Sequence, residues 1–99
     1  MPTKNDIRIV VERFFTMAAG GPVNTSEKVT SKYPNVVKKV EETYDVELKK
    51  DKLSVDQIVD ICYNTNRVRA IKKIKRLIDE YNVDSHEVFT SNDEGSSIH

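Results

Sequence analysis

At 99 residues, with 37% apolar and 32% charged side chains and no Trp, the chain has the length for one modest hydrophobic core and excludes a second. Sixteen basic residues balance sixteen acidic ones, so nonspecific polyanion binding is expected to be weaker than in a globally basic protein and any nucleic-acid contact to be local. The single cysteine, Cys62, excludes an internal disulfide, and no apolar run approaches the roughly 18 to 20 residues of a membrane span, so a cytoplasmic protein without a signal peptide or membrane segment is expected.

In chain order, the first predicted element is a helix over residues 6–19. Ile7, Val10, Val11, Phe14 and Ala18 recur at helical spacing, and Asn5 is a candidate N-cap. Gly20-Gly21-Pro22 ends it, because glycine accepts the left-handed conformation and proline cannot continue a helix. Phe14 and Phe15, being adjacent, point to different sides, so one of them, Phe15, is a candidate exposed contact for a dimer or a partner protein.

Asn24 and Glu27 have the spacing of a capping box, which predicts a short second helix to about Ser31. Pro34 suits the first position of a third helix reaching Tyr44, with Val37, Val40 and Tyr44 on one face. Residues 45–48 fit either a short extended piece or a helix end, and 49–52 read as a polar loop. Ser54 with Gln57 forms a capping box, and Leu53 with Ile58 a hydrophobic staple, at the start of a fourth helix over 55–62.

Residues 63–66, "YNTN", have turn chemistry, since Asn bonds its own backbone readily. A fifth helix over 67–81 follows, with Val68, Ile71, Ile74, Ile78 and Tyr81 as its apolar stripe and Leu77 widening it. Asp84 and Glu87 suggest a last short turn, and 92–99 read as a disordered acidic tail. The expected architecture is an all-α single domain of five helices over 1–91, with a helix-turn-helix-like pair in its C-terminal half.

Charge is unevenly placed along this neutral chain. Residues 61–83 carry six basic and two acidic groups, whereas 84–99 carry four acidic and no basic ones. The decapeptide "RVRAIKKIKR" at 67–76 holds all six of those basic residues.

The segment 54–74, "SVDQIVDICYNTNRVRAIKKI", resembles the helix-turn-helix DNA-binding unit, with Ile58, Ile61, Tyr63, Val68 and Ile71 on its apolar positions. The resemblance implies a recognition helix in the major groove that offers Asn64, Thr65, Asn66, Arg69, Ala70 and Lys73 to the bases, and Arg67, Lys72 and Arg76 to the backbone. Asn suits adenine, Arg guanine and Lys phosphate. It further implies a dimer on double-stranded DNA, acting in transcription regulation. Where that family favours Ala and Gly, this chain has Ile58 and Cys62, which implies a wider crossing or a different turn.

The alternative expectation is an adaptor or inhibitor that binds another protein, such as a component of the transcription apparatus, through the same basic helix or an exposed apolar face, the acidic tail shielding that helix. The sequence carries no catalytic signature, and no cofactor is expected. His86, His99 and Cys62 stand too far apart in sequence to suggest a metal site.

Overall fold

The helices of a computed structural model, which describes residues 2–48 and 52–91 and the side chains only as far as 82, are three: α1 (Lys4–Ala19), α2 (Pro34–Tyr44) and α3 (Val55–Ser91). No strand occurs among the described residues, only an isolated antiparallel bridge between Lys28 and Ser54. The all-α class is as expected and the number of helices is not. By their internal packing the residues form two units, Met1–Arg67 and Val68–His99.

The first unit holds the core. α1 is capped two residues before the expected Asn5: Thr3 Oγ1 accepts the Asp6 N–H at 3.1 Å, and the Asp6 carboxylate accepts the Thr3 N–H at 3.1 Å. This reciprocal box satisfies two N–H groups that a helix start otherwise leaves to water. Gly20 closes α1 with φ 74°, a left-handed conformation that few residues other than glycine, Asn and Asp adopt without strain. The buried face of α1 is Ile7, Val11 and Phe15, not the Val10, Phe14 and Ala18 register. Phe15 is 0% exposed and meets the Tyr33 ring edge-on with centroids 6.0 Å apart. The expected exposed Phe15 contact is thereby corrected, since the ring that stays half in water is Phe14, covered by the Lys39 ammonium at 4.4 Å.

Residues 24–31 do not form the expected helix. Asn24 Oδ1 takes the Ser26 N–H at 2.9 Å, closing a local turn, and the Val29 N–H goes to the Leu53 carbonyl at 2.7 Å. Local turn acceptors and, for Val29, a long-range one thus claim amides that a helix needs, helped by the β-branched Val23, Thr25, Val29 and Thr30. α2 has Pro34 in its first turn and ends where expected, at Tyr44, with Asp45 in the left-handed conformation. Residues 46–48 then alternate, Val46 and Leu48 buried around an exposed Glu47, and the Leu48 N–H donates to Glu41 Oε2 at 2.8 Å.

The start of α3 is as expected. Ser54 Oγ accepts the Gln57 N–H at 3.2 Å, and Gln57 Oε1 accepts the Ser54 N–H at 2.9 Å. Leu53 and Ile58, the staple pair, are both buried. Val55, Ile58, Val59 and Cys62 complete the core at helical spacing. Arg8 reaches Asp56 at 2.7 Å, and Lys4 pairs with Asp60, so two ion pairs hold the start of α1 against the start of α3.

The turn expected at 63–66 is absent, because α3 runs through it. Nothing in "YNTN" compels a break: it lacks Gly and Pro, and Asn in a helix interior costs under about 1 kcal/mol. Asn66 Nδ2 also donates to the Cys62 carbonyl at 2.8 Å, one helical turn back, which offsets that cost. The fourth and fifth expected helices, and the last turn at 84–89, are therefore one element. Residues 49–51 of the expected loop and the expected acidic tail at 92–99 lie outside the described residues.

Candidate interaction surface

In the second unit every side chain from Ile71 to Asn82 is exposed. Successive residues of an α-helix turn by about 100°, so Arg69, Lys72, Lys73 and Arg76 fall within about 100° of one another on one face. On the same count Ile71, Ile74, Leu77, Ile78 and Tyr81 fall on the opposite face, with Val68 and Lys75 at its edge. Four of the predicted contact residues thus share a surface, joined at its edge by Lys75. Lys72, Lys73, Lys75 and Arg76 form no ion pair among the described residues.

The other four predicted contacts belong to the first unit. Asn64, Thr65, Asn66 and Arg67 are consecutive in a helix and so point in four directions. Asn64 and Arg67 are exposed, and Thr65 is half-buried. Asn66 is turned inward, where its amide donates to the Tyr44 carbonyl at 3.2 Å as well as to Cys62. The absence of a turn at 63–66 leaves no helix-turn-helix pair to aim these residues at one groove.

The apolar side of the second unit is the feature that the periodicity misassigned. Val68, Ile71, Ile74, Leu77, Ile78 and Tyr81 have the spacing of a core face, yet their exposures run from 45% to 71%. The signal for this lay in the sequence as a surplus, since Ile7, Val11, Phe15, Val37, Val40, Ile58, Val59 and their neighbours already fill a core of the expected size. A contiguous exposed patch of this kind exceeds the scattered single apolar residues normal on a protein surface.

The remaining chemistry is sparse. A shallow hollow of about 120 Å³ in the first unit is lined by Glu12, Thr16, Pro22, Val23, Thr25 and Val55 and offers one carboxylate and two hydroxyls. Cys62 is buried, and burial pushes its thiol up to about 11, far from the thiolate that a nucleophile or metal ligand needs. No group of three metal-ligating side chains occurs among the described residues. No helix among them is long and apolar enough to cross a membrane.

No protein-family model matches the chain, and neither a curated protein nor a solved structure does.

Proposed function

We propose that the chain acts by binding rather than by catalysis, and that its working surface is the α3 segment 68–82, whose apolar stripe pairs with an apolar surface of protein. One observation carries this reading: six large apolar side chains stand exposed along one helix, at the spacing that helix pairing uses. Burying such a stripe stabilises a complex by removing apolar area from water, at about 25 cal/mol per Å² before the cost of association. A photoreactive side chain at position 74 tests it. Cross-linking to protein from position 74 but not from position 73, on the opposite face, is the expected result. Equal yields from the two positions count against the stripe.

A second reading, double-stranded DNA binding by a small regulatory protein, is favoured by the opposite face, where Arg69, Lys72, Lys73 and Arg76 cluster in solvent. Without a turn at 63–66, such a helix meets phosphates first and bases second. Fluorescence anisotropy of a mixed-sequence duplex at several salt concentrations tests it: log affinity falling with log salt at a slope of several units supports phosphate contact. No binding at low salt refutes it.

A further inference from the structure

The apolar stripe and the basic face of the second unit lie on one helix, and one kind of surface satisfies both. At about 100° per residue, Ala70, Ile71, Ile74, Leu77, Ile78 and Tyr81 occupy an arc of about 120° that holds no polar side chain of residues 68–82. Apart from the half-buried Ala70 these side chains are exposed, and the arc is wider than the narrow seam that a single partner helix covers. Lys73 and Lys75 stand about 100° to either side of Ile74 and so border the arc, with Arg69, Lys72 and Arg76 on the far side. Residues 68–76 hold five basic and no acidic side chains. Asp79 and Glu80 follow on the polar side, and the segment 68–82 keeps a positive excess of three.

We infer that this segment docks on the surface of an anionic lipid bilayer, lying in its plane with the apolar arc facing the acyl chains. The inference goes beyond the protein-binding reading, since lipid and protein compete for one stripe and each is tested without the other. A helix in this position sinks its apolar face about 5 to 10 Å into the boundary between headgroups and acyl chains, against a diameter of about 10 to 12 Å. Its flanks then lie level with the lipid phosphates, and Lys73 and Lys75 are those flanks. The long stems of Lys72 and Arg76 let their charges reach back toward the same plane. All five basic groups stay within about one Debye length of the surface, so pointing away from the arc removes little of their attraction to it. Tyr81, apolar in its ring and polar at its hydroxyl, suits the same boundary. The docking is peripheral, because no helix among the described residues is long and apolar enough to cross a membrane.

The chain has no Trp, so Tyr81→Trp places a single fluorescent reporter in the arc. The full chain carrying it is titrated with vesicles of phosphatidylcholine, alone or with about one third phosphatidylserine. A blue shift of the emission is expected, with binding about 100-fold tighter to the phosphatidylserine vesicles and the difference lost at high salt. Ile74→Asn, which changes no charge, should remove the shift and weaken binding about 10-fold or more at an unchanged melting temperature. No binding to phosphatidylserine vesicles at low salt overturns the inference, and equal binding to both kinds of vesicle overturns the part given to the basic residues. Binding undiminished by Ile74→Asn means that the basic face adsorbs alone, which overturns the docking of the arc. A melting temperature lowered by Ile74→Asn means that the chain itself covers the stripe, which overturns the protein-binding reading as well. Absence of vesicle binding, combined with cross-linking to protein from position 74 and not 73, overturns the lipid surface and leaves that reading standing.

Discussion

The side-chain amide of Asn66 spans from α3 to the end of α2, donating to the Tyr44 carbonyl at 3.2 Å while its second N–H goes to the Cys62 carbonyl at 2.8 Å. The last carbonyls of a helix have no partner within it, so one Asn satisfies an acceptor at the α2 terminus and ties the two helices together. A residue whose chemistry suits adenine is here occupied by the fold.

Asn66→Ala should lower the stability of the first unit by about 1 kcal/mol, the lost hydrogen bonds outweighing alanine's better helix propensity. Asn66→Asp should cost more, because a carboxylate would face two carbonyl oxygens. Urea unfolding followed by circular dichroism measures both. If Asn66→Ala left stability unchanged and lowered DNA affinity, the residue would be a contact rather than a tie.

Replacing Phe15 by Ala should cost about 3 to 5 kcal/mol, since the ring is fully buried and packs against Tyr33. Phe14→Ala should cost less, removing a half-buried ring and its contact with Lys39. Thermal melts of the two variants should differ in this order. The reverse order would place the α1 core face on Phe14.

Acid should weaken the joint between α1 and α3. The hydrogen bond from Arg8 holds the Asp56 carboxyl below its ordinary value of 3.8, with the positive charges of Arg8 and Lys4 adding to the effect. Because the folded carboxylate binds a proton more weakly than the unfolded one, the pair stabilises fully above that ordinary value and loses its contribution as the pH falls through the lowered one. Asp56→Asn should flatten the acid limb of a stability profile recorded from pH 5 to pH 2. An unchanged limb would assign acid sensitivity to other carboxylates.

Cys62 should resist alkylation by iodoacetamide at pH 8 in the folded protein and react readily in urea, because burial keeps its thiol protonated up to about 11. Its ordinary value is 9, so ionisation in the unfolded chain should erode stability as the pH rises from 9 toward 11. Mass spectrometry of the adduct over time checks the first statement. Rapid labelling of folded protein would mean that the α3 face carrying Cys62 opens locally.

What local chemistry controls, the residues announce. Gly20 after an amphipathic run, Pro34 at a helix start and the Ser54/Gln57 box each act over three or four positions, and each boundary stands where its residues put it. Residues 24–31 are different. Asn24 and Glu27 spell a helix start, but Asn24 bonds Ser26, and Leu53, more than twenty positions away, takes the Val29 amide. Likewise the polar "YNTN" is compatible with a turn or a helix, and the Asn66 bonds to Cys62 and Tyr44 favour the helix.

The candidate surface divides in the same way. That Arg69, Lys72, Lys73 and Arg76 share one face follows from spacing alone, once the segment is helical. Periodicity likewise puts Ile71, Ile74, Ile78 and Tyr81 on one stripe, but a stripe states only that a face is apolar and not what covers it.

By itself the sequence determined the helical class, the bounds of α2, the start of α3 and the apolar sides of α2 and α3, because these depend on neighbours within a turn or two. Only the tertiary structure decided that 24–31 stays irregular, that Asn66 faces inward, and that the core closes around Ile7, Phe15, Val40 and Ile58 while the stripe from Val68 to Tyr81 remains in solvent. Those outcomes depend on competition among distant groups for the same hydrogen bonds and the same buried volume, and no local pattern encodes its result.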